Sequence, residues 1–395
     1  MKVFLNFING LVKKKIEIHS KIGLVNQLNL VLVSGIYYPD IGGPATYLPR
    51  LTARLIEGGN KVSTLSLTES VGTSRPEENW QRIFIQRKLP KPLRMFKVVS
   101  KLIELSRGSD GVYANGLHEE VGIASIFGSR ALVAKIVGDP IWERHRNSTK
   151  TKMTISEFQS IQLPFSLRLQ RKLLVWSLNR FKYITTPSKE LADIVKDWGV
   201  KSPIKVIQNG ITCRTNNSNS EQVGIVSISR LVTWKNIDVL IRACANLNLR
   251  LVVVGDGPER ENLEKLSRDL NADVKFLGEL DNSEVISVLD KAEIYALISD
   301  YEGLSFSLLE AMMAGKPIVV SSNQGNLDVI ENGQTGLVVP IRDLQRTIDA
   351  ITKLLNDKNF AQVLGDRAQL KAKESYCEQS QLDLMIELIS ESNKA

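Results

Sequence analysis

Short apolar runs alternate with helix-period segments along almost the whole chain, and after Glu221 the alternation begins again. This pattern constrains the fold more than any other feature. Apolar runs of roughly four to eight residues, bounded by glycine, proline or polar turns, read as strands buried on both faces. Strands alternating with helices imply a doubly wound parallel sheet. The first such strand is Leu28–Ser34; a loop, Gly35–Gly43, leads to a helix opened by Pro44 and closed by Gly58-Gly59. Further strands are read at Lys61–Leu67, Gly111–Ala114, Ala131–Val137 and Tyr183–Thr186. Gln208-Asn209-Gly210 is a turn signal, and the polar, aperiodic stretch Thr212–Glu221 is a linker. The second series is Gly224–Ser229, Leu249–Gly255, Val274–Leu277, Ile294–Ser299 and Pro317–Ser321. No short repeat accompanies this doubling; the architecture recurs, not the sequence.

A chain of 395 residues exceeds one typical core. The expected division is an extension over 1–27, a first Rossmann-like domain over 28–210, a second over 211–375, and a C-terminal helix over 376–395 that can pack back on the first domain. Two such domains facing each other would leave a cleft between their strand C-termini, where open α/β sheets bind ligands. Charge divides the same way. Residues 1–205 hold 32 Lys/Arg against 16 Asp/Glu, and residues 206–395 hold 19 against 27. A basic half suits an anionic acceptor or an anionic membrane surface; sparse aromatic interleaving and the absence of a recognisable motif place nucleic acid last. Cys213, Cys244 and Cys377 have no Cys-x-x-Cys spacing, which points away from a disulfide framework or zinc site and toward a reducing, cytoplasmic compartment. With only three histidines, His19, His118 and His145, a multi-histidine metal site is poorly supported. No apolar run reaches the roughly 18 residues of a spanning helix. At the N-terminus Phe4, Ile8, Leu11 and Val12 fall at helical spacing beside Lys13-Lys14-Lys15, so residues 1–27 read either as a weak interfacial helix or as an unstructured extension.

Candidate chemistry gathers at strand ends. Glu302-Gly303-Leu304-Ser305 follows the Ile294–Ser299 strand and leads to a helix read over Leu308–Ala314, which carries Glu310 and stops at Gly315-Lys316-Pro317. Amides of Gly303, Leu304 and Ser305 beside a helix N-terminus suit an anion, and the two carboxylates suit hydroxyls. A solvated helix face is the plain alternative. Ser229-Arg230 and Lys235 follow another strand; Arg230 offers a planar fork and Lys235 a point charge to a diphosphate. Gly255-Asp256-Gly257-Pro258 begins like a dinucleotide fingerprint, but Arg260 stands at the third glycine position, which disfavours a dehydrogenase. Gly42-Gly43 before the first helix either permits close approach to phosphate or serves a turn.

Taken in order, Gly42-Gly43, Thr186-Pro187-Ser188, Ile207–Gly210, Ser229-Arg230 with Lys235, Gly255–Pro258, Phe276–Gly278, Glu302 with Glu310 through Pro317, and Glu331-Asn332-Gly333 with Gly336–Pro340 resemble family 4 of the retaining glycosyltransferases. The resemblance spans roughly residues 28–390 and implies a GT-B fold. It implies a nucleotide-sugar donor held mainly by the second domain and an acceptor held by the first. In that family pattern Arg230 and Lys235 hold the diphosphate, Glu310 the ribose hydroxyls and Glu302 the transferred sugar. Where the family shows His-Asp, this chain has Gly138-Asp139, so Asp139 is the remaining candidate there, and the sugar identity is left open. Retention without a protein nucleophile implies same-face substitution. No Asp-x-Asp occurs, which fits side-chain cations in place of a metal. The expected catalytic set is Asp139, Arg230, Lys235 and Glu302, and the expected donor set is Gly42, Gly43, Arg230, Lys235, Gly255, Gly257, Gly303, Leu304, Ser305 and Glu310. No cofactor is expected. The function expected is transfer of a hexose to a glycan or lipid-linked saccharide in cell-surface polysaccharide or lipopolysaccharide synthesis, peripheral at the inner membrane face. A GT-B epimerase or hydrolase and a non-catalytic sugar-nucleotide binder are the rivals.

Overall fold

The computed structural model describes residues 27–37, 40, 43–68, 80–149, 153–214 and 222–394. Residues 1–26, Gly42 and most of the expected linker lie outside that set, and so do the readings that fall on them. Two sheets organise the rest. The first has seven strands, β1 (Asn29–Ser34), β2 (Lys61–Thr68), β3 (Gln81–Gln86), β4 (Gly111–Asn115), β5 (Ala131–Lys135), β6 (Tyr183–Thr186) and β7 (Ile204–Val206), ordered β3-β2-β1-β4-β5-β6-β7. The second has six, β8 (Ile225–Ile228), β9 (Leu251–Val254), β10 (Val274–Gly278), β11 (Ile294–Leu297), β12 (Ile318–Ser321) and β13 (Leu337–Val339), ordered β10-β9-β8-β11-β12-β13. The strand pairings described run parallel. Contacts divide the chain into two compact units. One holds the described residues up to Lys135 with Trp176–Ile184 and those from Met385 onward; the other holds Ile136–Val175 and Thr185–Leu384.

Why these runs read as strands is visible in the second sheet. Ile225, Leu251, Val253, Ile294, Ala296 and Val319 enter one buried cluster, with the Ile237–Leu247 and Leu344–Asn356 helices. Their immediate neighbours Val226, Val252, Tyr295, Leu297, Ile318 and Val320 enter a second, with the Phe306–Met313 helix. Period-two alternation thus sends successive side chains into different cores, and both faces demand apolar residues. The strand order also fixes where function can sit. β8 and β11 are neighbours whose connections leave in opposite directions, toward β9 and toward β12. Such a reversal opens a crevice at the strand C-termini.

Element ends differ from expectation in small, explicable ways. β5 stops at Lys135 rather than Val137. The helix expected from Leu308 begins at Phe306, because Ser305 Oγ accepts the Leu308 amide and caps it. The first-unit helix Gly43–Glu57 does end at Gly58-Gly59, where Gly59 takes φ 83°. The C-terminal helix runs over Glu378–Lys394.

Candidate functional site

The loop after β8 contains a short 3-10 turn, Thr233–Lys235, ended by Asn236 in the left-handed region at φ 49°. Asparagine tolerates that conformation better than most residues. From there Asn236 Nδ2 donates to Ile298 O at 2.9 Å and Asp300 Oδ1 at 2.6 Å, while the Asp300 amide donates to Trp234 O at 2.8 Å. These bonds tie the β8 loop to the β11 loop across the switch point. They bring Lys235 Nζ to 2.6 Å from Glu302 Oε1, an oxygen that also accepts Ser299 Oγ at 2.7 Å. Oε2 of Glu302 makes no hydrogen bond among the described residues and remains an acceptor for an incoming hydroxyl. The Glu302 backbone is held equally closely: a Cβ on Gly325 would lie 1.9 Å from Glu302 O.

Arg230 is exposed two residues past β8. Gly255 and Gly257 are the reason its segment sits where it does. A Cβ on Gly255, which has φ 119°, would meet Ser229 O at 2.0 Å, and one on Gly257 would meet Leu231 O at 2.3 Å. What these glycines admit at close range is the backbone on either side of Arg230.

Gly303 likewise faces backbone, with Val137 O 2.7 Å from its would-be Cβ. Leu304 is buried and its carbonyl accepts Asn209 Nδ2 at 2.9 Å. Glu310 lies on the Phe306–Met313 helix behind the Ser305 cap. Burial pushes the Tyr295 phenol far above its usual range; its hydroxyl pairs with Ser307 Oγ at 2.8 Å, and the charges of Glu302 and Glu310 add to the upward shift. Both carboxylates of the motif therefore act on one locality. Gly43 begins the Gly43–Glu57 helix in the first unit.

Asp139 is wholly buried and both its oxygens are engaged. Oδ1 accepts the Ile141 and Trp142 amides at 2.9 and 3.2 Å, capping the Pro140–Thr149 helix. Oδ2 accepts Gln159 Nε2 at 3.0 Å and Arg171 Nη2 at 2.6 Å. In this geometry its work is to place that helix. On the helix is Glu143, which no motif in the sequence marks. Its Oε1 lies 2.6 Å from where a Gly138 Cβ would stand, so it fills the room a side chain at 138 would take. Burial, with help from Asp139, pushes the Glu143 carboxyl up to about 7, against the pull of Arg230 and Lys235. One turn on, Arg146 donates to Asp300 Oδ2 at 2.6 Å, and Arg342 reaches the same oxygen. Trp142 packs on Trp234 and Tyr301 at ring separations of 5.3 and 5.5 Å. His118 and His145 stand apart from these contacts: His118 lies in the first unit against Lys135 O at 3.2 Å, and His145 packs on Phe158 at 5.5 Å.

Paired loops at the reversal point of a parallel sheet carry Arg230, Lys235 and Glu302, and together they form the candidate site. Two family descriptions match consecutive stretches of the chain, Glycosyltransferase Family 4 over residues 41–214 and Glycosyl transferases group 1 over residues 212–371. The protein belongs to the family 4 type of GT-B glycosyltransferases. A GDP-mannose-dependent alpha-(1-6)-phosphatidylinositol monomannoside mannosyltransferase of Mycobacterium tuberculosis is 35% identical over 159 residues, covering 37% of this chain and 41% of that protein. The chain thus matches about two fifths of the length of such curated relatives. Sucrose-phosphate synthase from Thermosynechococcus elongatus superposes with TM-score 0.75 at 18% identity, covering 92% of this chain and 98% of that one. Anabaena HepE, in complex with UDP and glucose, superposes with TM-score 0.74 at 20% identity, covering 92% and 100%. At these identities the likeness is one of fold.

Proposed function

We propose that this glycosyltransferase is a retaining enzyme that moves a hexosyl group from a nucleotide sugar to a glycan or lipid-linked saccharide, in the building of a cell-surface polysaccharide or lipopolysaccharide. The contact of Lys235 with Glu302, on the loop beside Arg230, carries the reading. As the bond from the anomeric carbon to the phosphate oxygen breaks, its electron pair passes to the leaving diphosphate. Arg230 and Lys235 neutralise charge that is greater in the transition state than in the bound donor, so they accelerate transfer rather than merely tighten binding. The acceptor oxygen bonds to the same carbon on the same face, and its proton passes to the departing phosphate oxygen. Glu302 Oε2 accepts a hydroxyl of the transferred sugar and Glu310 those of the ribose. These cations supply the charge stabilisation a metal would otherwise give. The acceptor is presented at an anionic membrane surface, with the enzyme peripheral at its cytoplasmic face; the mycobacterial relative's name, a phosphatidylinositol monomannoside mannosyltransferase, supports a lipid-linked acceptor.

A thermal-shift screen of nucleotide sugars identifies the donor, since ligand bound only by the folded state raises the melting temperature. With that donor, Lys235→Ala lowers turnover by roughly 10²–10³, the scale of one lost transition-state contact. Unchanged transfer in the variant refutes the assignment. Donor consumption with no glycosylated product points instead to a hydrolase or epimerase.

A further inference from the structure

The Phe165–Leu178 helix, FSLRLQRKLLVWSL, is built the wrong way round for a helix facing water. Its inner face buries Arg171, Leu174, Ser177 and Leu178. Its outer face leaves Phe165 77%, Leu169 59%, Leu173 39% and Trp176 38% exposed. The spacing i, i+4, i+8, i+11 puts these four on one stripe. Arg168 and Lys172 are exposed beside the stripe, and the helix contains no acidic residue. Ordinary surface helices turn charges outward, and contiguous apolar exposure marks an interaction site.

We propose that this helix is a docking surface for an anionic lipid bilayer, lying in the headgroup plane with Phe165, Leu169, Leu173 and Trp176 inserted. Charge complementarity selects the occupant. Two exposed cations, with no acidic residue on the helix, beside large apolar and aromatic side chains match a layer of anionic headgroups over acyl chains, with Arg168 and Lys172 extending to the phosphates. The proposal rests on the reading of a surface-presented acceptor and names the element that brings the enzyme there.

The test is co-sedimentation with vesicles of phosphatidylcholine alone or with about one third phosphatidylglycerol, at low and high salt, a contrast set by charge screening. The full chain is expected to pellet with the anionic vesicles at low salt and to leave them at high salt. Phe165→Ser with Leu169→Ser lowers the bound fraction at least roughly tenfold, and Arg168→Gln with Lys172→Gln removes the salt dependence. All four positions are exposed, so melting curves of both variants should overlay the parent. No pelleting of the parent with anionic vesicles at low salt overturns the proposal, as does undiminished pelleting of the serine variant. A dimer in sedimentation velocity that the serine variant converts to monomer, with vesicle binding unaltered, assigns the stripe to a second copy of the chain. Donor binding by thermal shift does not involve this helix, so failure here leaves the transfer reading standing.

Discussion

Asp300 is the residue on which both loops of the site depend, and replacing it by asparagine separates its charge from its shape. Asp300 is 3% exposed and Arg146, the buried one of its two cations, 1%. The carboxylate accepts Arg146 Nη2 and Asn236 Nδ2, each at 2.6 Å, and also Arg342 Nη2. Asp300→Asn keeps one oxygen that can accept but removes the negative charge, so the buried Arg146 guanidinium is left uncompensated beside Met153 O at 3.0 Å and the faces of Trp142 and Trp234. Breaking a buried pair on one side costs about 3–5 kcal/mol. In a unit of this size each kcal/mol moves the melting temperature by roughly 2–4 °C, so a fall of about 6–20 °C is expected. Arg342 provides the control. Its side chain is 32% exposed, and Arg342→Gln should cost no more than about 1 kcal/mol because solvent screens that half of the triad. Fluorimetric melting of the three proteins decides the matter. Donor affinity should fall in step with the Asp300→Asn destabilisation, because the same carboxylate anchors Asn236 beneath Lys235. Equal melting shifts in Asp300→Asn and Arg342→Gln, or none in either, would refute the assignment of the triad as a buried strut.

Three further outcomes follow from single contacts. Gly303→Ala sets a Cβ 2.7 Å from Val137 O, a backbone atom that cannot swing aside; overpacking of about 1–3 kcal/mol and weaker donor binding should appear together by melting and calorimetry. Glu143 keeps its proton in the folded state up to about 7 while the unfolded chain releases it near the ordinary 4.5. The folded protein therefore binds more protons in that window, so stability falls as pH rises through it; urea midpoints of Glu143→Gln should show a flatter slope there than the parent. Lys135, in the first unit, is buried with its ammonium unpaired among the described residues but 3.8 Å above the Tyr47 ring, and burial draws its value down to about 7 from 10.5. Here the unfolded chain binds the extra proton, so stability rises from pH 7 toward 10.5; Lys135→Met should abolish that rise and melt higher than the parent near neutrality.

Which parts of this were legible in the sequence depends on whether the governing interaction is local. Inner strands were legible: β1, β4, β8, β9, β11 and β12 are buried along most of their length, so their runs are apolar whatever lies around them. The strands absent from the sequence reading, β3, β7 and β13, are outermost in their sheets. An edge strand has a neighbour on one side only; β7 has no buried residue and β3 only Ile85, so neither leaves an apolar run to find. β13 is three residues long and too short for a period to register.

The site divides along the same line, and Asp139 shows where a motif can mislead. Arg230, Lys235, Glu302 and Glu310 stand as candidates because each follows a legible strand or sits on a legible helix. Their organisers do not: Arg146 finds Asp300 from 154 positions away, and only the folded chain chooses that partner. Asp139 had a local signal that pointed elsewhere, since aspartate directly before a proline that opens a helix is an N-cap arrangement, and both Ile141 and Trp142 amides are bound to it. The helix so capped delivers Glu143 into the space over Gly138 and Arg146 onto Asp300. Gly138 is therefore not a gap in this part of the chain. It is the clearance that lets a carboxyl from five residues further on stand there, close enough for Arg230 and Lys235 to act on it.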